Sequence, residues 1–189
     1  MSRRPWQSCF IVLLAALANS FAGEAACGTE PCAGYSWDVS HERALFAQPA
    51  STLPAGKDGA SSTPLLPERL YQLQLLPQDQ VRFVVAPGRN PRAEGSYAGL
   101  AQFPVTRAGN YRIAADAAVW IDVVADGKLV ASKDFQAQHE CTAPRKVVEF
   151  ELAAAPHQIL EISGARDADV RITITTSPAV APGAPSSVN

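Results

Sequence analysis

The sequence predicts an all-β protein, an antiparallel β-sandwich of jelly-roll type. Three observations lead there. Apolar and polar residues alternate with a period of two from Tyr71 to Thr176. Turn-forming pairs, Asp126-Gly127 above all, break that stretch at short and regular intervals. No run shows the apolar spacing of a long helix. The chain has 189 residues, 47% apolar and only 7% aromatic, enough for one proper core but a squeeze for two domains. A net charge of -2, from 16 basic and 18 acidic residues, lacks the basic footprint of a nucleic-acid binder. After the N-terminus no segment approaches the roughly 18 consecutive apolar residues of a spanning helix.

Residues 1–25 read as a secretory signal peptide. Arg3 and Arg4 precede a compact apolar run over residues 10–18 (FIVLLAALA), and small residues lead to a cut after Ala25, or after Ala22. The expected location is therefore periplasmic or secreted. Ala25 and Ala26 before Cys27 also suggest a lipoprotein signal, although Glu24 stands where such signals carry a large apolar residue. Cleavage removes Cys9 and leaves Cys27, Cys32 and Cys141, which allow three pairings in an oxidising compartment. Cys27–Cys32 would close a tiny loop around Pro31. Cys32–Cys141 closes a loop of more than a hundred residues, worth on the order of 4–5 kcal/mol in the chain-entropy model, and is the favoured bridge. A zinc site from Cys141 and His139 is the alternative, but the spacing matches no paired-ligand pattern.

Residues 26–67 form an N-terminal segment and linker. Within them, residues 35–39 (YSWDV) read as a short strand, and Ser40 caps a helical turn over residues 41–47 that Pro49 stops. Residues 50–67, rich in Ala, Ser, Gly and Pro, read as loop. Residues 68–177 make the sandwich, with eight or nine short strands. Tyr71, Leu73 and Leu75 present one buried face, and Val81, Phe83 and Val85 repeat the pattern. A weaker strand covers residues 97–105, pushed to a sheet edge by Pro104. Tyr111, Ile113 and Ala115 start the next. Residues 119–124 and 128–132 flank Asp126-Gly127, a strong hairpin signal. Residues 147–152, 158–162 and 170–176 complete the set, with a turn over residues 164–169. Residues 178–189 read as a flexible tail.

The residues that could carry chemistry are few. No G-x-S-x-G elbow, glycine-rich phosphate loop or H-E-x-x-H pair occurs. His41, His139 and His157 could supply a facial triad for non-haem iron, but they fall at element ends rather than along strands. Asp167, Asp169 and Glu161 could offer oxygens to calcium, and a polar hairpin turn explains them more simply. Arg145-Lys146 reads as a solvated basic spot. The aromatics are more informative. If Val119, Ile121 and Val123 face the core, Trp120 and Asp122 point the other way. A ring beside a carboxylate suits a sugar face and its hydroxyls. Tyr35 and Trp37, two residues apart, either join that ligand-binding surface or cover Trp120 as packing. No cofactor and no catalytic residue is expected.

Residues 66–75 (LPERLYQLQL), 108–113 (AGNYRI) and the Trp120–Ile121–Asp122–Val123 strand resemble the bacterial pre-peptidase C-terminal domain, a small jelly-roll β-sandwich appended to secreted enzymes. The resemblance covers roughly residues 68–176 and implies an accessory rather than catalytic role; no peptidase accompanies it in this sequence. Residues 35–46 (YSWDVSHERALF) and 120–130 (WIDVVADGKLV) also resemble a group of exported proteobacterial proteins sometimes named homogentisate dioxygenase. That name implies an iron oxygenase of cupin type, yet no position here matches such a ligand motif, so no residue is carried over. The expected function is an exported, non-catalytic binding or interaction module whose partner is an envelope protein or glycan. The alternatives are a non-haem iron dioxygenase and an envelope structural protein or lipoprotein.

Overall fold

The computed structural model describes residues 32–89 and 94–177. The expected signal peptide (1–25), Cys27 with its pairings and lipidation, and the expected tail (178–189) lie outside the described residues. Helix α1 (Ser40–Phe46) is followed by β1 (Ser51–Pro54), β2 (Thr63–Pro64), β3 (Leu70–Gln74) and β4 (Leu76–Pro77). Next come β5 (Tyr97–Val105), β6 (Gly109–Ala115), β7 (Trp120–Ala125) and β8 (Lys128–Val130). The chain continues with β9 (Ser132–Ala137), β10 (Lys146–Leu152), β11 (Ala155–Ala165) and β12 (Asp169–Thr176).

Two sheets face each other. The first has the order β1-β3-β12-β6-β10-β9; the second runs β2-β5-β11-β7-β8, with β4 also paired to β5. From β3 onward the long strands cross repeatedly between the sheets: β3 in the first, β5 in the second, β6 in the first, β7 in the second, then β10, β11 and β12 alternating likewise. This wrapping is that of a jelly roll, and the sandwich expected from the sequence is the fold. Two details differ from expectation. The described residues hold twelve strands rather than eight or nine, and β1 with β3 and β2 with β5 pair in parallel, so both sheets are mixed.

The period-two reading identifies the core. Tyr71, Leu73, Tyr111, Ile113, Ala115, Ile121 and Val123 are buried between the sheets with Val148, Phe150, Leu160, Ile162, Ile172 and Ile174. Such side chains come from alternate positions because a strand turns successive residues to opposite faces. Asp126 (φ 49°) and Gly127 (φ 71°) both take positive φ, as a type I′ turn requires, and join β7 to β8. Strand β5 is not at the edge expected from Pro104: it lies between β2 and β11, and the proline is tolerated because it sits opposite a register shift between Ala155 and Gln158, where it costs no regular ladder bond.

Several elements depart from the sequence reading. Residues 35–39 are bend and irregular backbone, not strand, because they lie over the outer face of the first sheet and bond to side chains: Ser36 N–H donates to Gln136 Oε1 (2.9 Å). Ser40 is the first helical residue rather than the cap, and Asp38 Oδ1 accepts its N–H at 2.9 Å. Residues 50–67 are not a loose linker. They supply the edge strand of both sheets in turn, crossing at Gly56, whose N–H donates to Leu100 O (2.7 Å). Prolines 54 and 64 are tolerated because edge strands have no partner on one side. Gly99 of β5 makes room for this segment, since a Cβ there would collide with that of Ala55. Residues 81–85 form no strand; they cover the outer face of the second sheet, and two of their N–H groups are taken by a carboxylate. The hairpin arm expected over residues 128–132 ends at Val130, and residues 132–137 form the edge strand β9. The final turn is shorter than read, because β11 runs on to Ala165 through a bulge at Gly164 (φ 69°).

The Cys32–Cys141 bridge is present, with Cα atoms 4.8 Å apart. It ties the start of the described chain to the loop before β10.

Candidate binding surface around Trp120

Strand β7 carries the site. Its inward residues anchor it in the core, so Trp120 and Asp122 project from the outer face of the second sheet, as the alternation predicts. Trp120 is half-buried, and its indole Nε1–H donates to Asp122 Oδ2 at 2.8 Å. The N–H of Gly88 donates to the same oxygen at 3.0 Å. Directly across the ladder from Asp122 stands Glu161 of β11. Its Oε1 accepts the N–H of Val84 (2.6 Å) and of Val85 (3.4 Å), while its Oε2 has no hydrogen-bond partner among the described residues. Burial raises the pKa of both carboxyls; the N–H bonds act against that rise, and the Asp122 charge adds to it at Glu161.

Lys146 completes the arrangement. Its Nζ donates to Val119 O at 2.9 Å and lies 4.9 Å from the centre of the Trp120 ring, within cation–π range. The Phe135 ring of β9 is 5.8 Å away on the same ammonium. Burial lowers the Lys146 pKa and nearby Arg89 adds to that, with Asp122 opposing. Lys146 is therefore not part of a solvated basic spot, as its sequence neighbours suggested; it faces inward at the end of the sandwich. Phe135 is 61% exposed. Sequence reasoning missed it, although one aromatic ring among Ser132, Lys133, Asp134 and Gln136 is a visible anomaly. Asp134 Oδ1 accepts the Phe135 N–H at 2.7 Å, which occupies a donor that an edge strand would otherwise offer to another chain.

Tyr35 and Trp37 are elsewhere. They pack with Val39, Phe46, Leu70, Ala114 and Val147 on the outer face of the first sheet. The Tyr35 hydroxyl donates to Pro144 O (3.1 Å), and burial followed by the Glu42 charge pushes its pKa to about 12. Trp37 lies under the Arg112 guanidinium, 4.7 Å from its carbon to the ring centre. The structure thus joins Trp120 with Asp122, and Tyr35 with Trp37, but does not bring the two pairs together.

The histidines are likewise separate. His41 Nε2 pairs with Glu68 Oε2 at 2.5 Å, His139 Nδ1 contacts Arg145 Nη2 at 3.2 Å, and exposed His157 lies on β11. Asp169 accepts from Gln72 (3.3 Å), whereas Glu161 is buried beneath residues 84–85. Among the described residues no three His, Cys, Asp or Glu side chains converge to hold a metal ion. No helix among them is long and apolar enough to cross a membrane.

No protein-family model matches the chain, and no curated protein does. Among solved structures, a β-glucosidase from Kluyveromyces marxianus in complex with glucose is similar at 6% identity with a TM-score of 0.32. The match covers 44% of this chain and spans 10% of that enzyme. A likeness at that level carries no argument about fold or function.

Proposed function

We propose that this chain is an exported, non-catalytic binding module of the cell envelope, and that the edge formed by Trp120, Lys146 and Phe135 meets a glycan. The observation that carries the reading is the Phe135 ring, standing open to solvent beside an ammonium that also covers Trp120. Ring faces stack on the apolar faces of pyranoses, and the ammonium donates to hydroxyl or carboxylate oxygens. The Cys32–Cys141 bridge supports export, because such bonds persist in oxidising compartments.

Binding of the purified full chain to a panel of envelope polysaccharides tests the proposal. Phe135→Ala removes only an exposed ring and should leave the melting temperature unchanged while weakening glycan retention at least tenfold. Retention unaffected by Phe135→Ala, or capture of an envelope protein but no glycan, overturns the assignment. Turnover by metal-stripped protein on a substrate panel overturns the non-catalytic part.

A further inference from the structure

A cavity of about 910 Å³ opens at the start of β5, and it shares no residue with the Trp120 edge. One wall comes from residues 77–87 and the other from residues 94–97. Its size is that of a small-molecule pocket, which runs to roughly 300–1,000 Å³. The backbone ties the two walls together. The Gln78 N–H donates to Ser96 O (2.9 Å), Gln78 Oε1 accepts the Gly164 N–H (2.7 Å), and Pro77 pairs with Tyr97 across β4 and β5. Val81 is buried, and the Phe83 and Tyr97 rings pack against the core on one side; all three line the cavity. Ala86 and Pro87 extend that apolar wall. The charge has one sign. Asp79 and Glu94 line the cavity, both exposed, and no Lys, Arg or His among the described residues does so. Among those residues neither carboxylate has a hydrogen bond or ion pair. Arg82 stands between two lining residues in sequence but turns to Asp58 Oδ2 (2.6 Å).

We propose that this cavity binds a small organic ammonium ion with a flat, ring-shaped apolar body. The body lies against the Phe83 and Tyr97 rings, whose faces attract a cation, and the ammonium N–H groups donate to Asp79 and Glu94. Both carboxylates are open to solvent, so a guest reaches them without disturbing the core. Two exposed carboxylates alone hold an ammonium weakly; the rings and the apolar wall supply the rest of the grip. An organic anion would face two like charges with no cation in the lining to offset them. A neutral ring gains the apolar contact but leaves both carboxylates unpaired. Calcium takes six to eight oxygen ligands, whereas among the described residues no three His, Cys, Asp or Glu side chains converge.

Titration of the ¹⁵N-labelled full chain, disulfide intact, with phenethylammonium, phenylethanol, phenylacetate and ethylammonium tests this by NMR. Saturable shifts of the Gly95, Ser96 and Tyr97 amides with phenethylammonium, and at least tenfold weaker binding of the other three compounds, support the site. Asp79→Asn combined with Glu94→Gln changes only exposed side chains, so the melting temperature should hold while phenethylammonium weakens at least tenfold. If that pair fails to fold, Glu94→Gln alone should weaken it several-fold. Phe135→Ala should leave the amine affinity as it is, so this assignment and the glycan reading fail separately. No saturation, equal binding of phenylethanol or ethylammonium, shifts confined to other parts of the chain, or full affinity in the folded variants overturns the proposal.

Discussion

Replacing Cys32 and Cys141 together removes the covalent tie between the N-terminal segment and the loop that leads into β10. Alanine is the better replacement, since Cys141 is fully buried and a serine hydroxyl there would lack a partner. The two cysteines are 109 positions apart. The chain-entropy model then gives about 4.8 kcal/mol of lost stability through the freed unfolded state, or roughly 10–20 °C in melting temperature for a domain of this size. The structure also says where the loss can be absorbed. Without the bridge, residues 34–38 are still held by Gln138 Nε2 donating to Gly34 O (2.5 Å), by the Ser36–Gln136 pair, by Tyr35 to Pro144 O and by Arg112 to Asp38 O. These hydrogen bonds are mostly exposed, and the packing of Tyr35 and Trp37 on the first sheet adds to them. The assay is urea unfolding at 25 °C with native-state hydrogen exchange on α1, where the Arg43 N–H donates to Val39 O and the Ala47 N–H to Arg43 O. Loss of several kcal/mol in global unfolding, or early loss of protection at Arg43 and Ala47 with the sheets intact, are the two permitted outcomes. A global loss under about 1 kcal/mol with unchanged α1 protection would refute the reasoning.

Two further perturbations follow from the buried charges. The pKa of Glu161 is raised by burial above its ordinary 4.5, so its contribution to stability is fully present below that value and is lost as pH rises through the folded-state value. Glu161→Gln, which keeps the acceptor for Val84, should therefore gain stability relative to the native chain as pH climbs from about 4.5 to 8; pH-resolved denaturant curves check it, and the opposite slope sinks the idea. Arg112→Met should cost about 3–5 kcal/mol, because it strands Glu42 and Glu149 without their cation. Differential scanning calorimetry reads that loss, and a variant as stable as the native chain refutes it.

What could be read from the sequence was what strand geometry makes local. A period of two needs only neighbours along the chain, so the core faces of β3, β6, β7 and β12 were legible, as was the Asp126-Gly127 turn. The outward direction of Trp120 and Asp122 follows from the same alternation. Residues 81–85 show the limit of the method. Their alternation is real, but their N–H groups are satisfied by Glu161 rather than by a strand, a contact between residues 76 and 77 positions apart. Lys146 and Phe135 reach Trp120 through the pairing of β9 with β10, whose register shifts at Glu149–Phe150, and nothing local encodes that shift. In the sequence only their aromatic character links Tyr35 and Trp37 to Trp120, whereas the wrapping of the chain puts them on the other sheet.

The same wrapping explains where buried charge is found. A sandwich ordinarily turns polar residues outward, yet here the outer positions carry Leu70, Ala114 and Val147 on one sheet and Ala98, Leu100 and Ile159 on the other. Both faces must therefore be covered, and the covers, residues 32–48 and 78–89, carry α1 and one short helical turn but no strand. Their backbone polar groups need partners that no ladder supplies. Arg112 meets a carbonyl of the first cover, while Glu161 and Asp122 accept N–H groups of the second. Each charge sits on a central strand of a sheet, where it fixes the cover in register at the expense of its own hydration. Among the described residues, the rim where β8 and β9 end the two sheets lies outside both covers, and Phe135 stands exposed there.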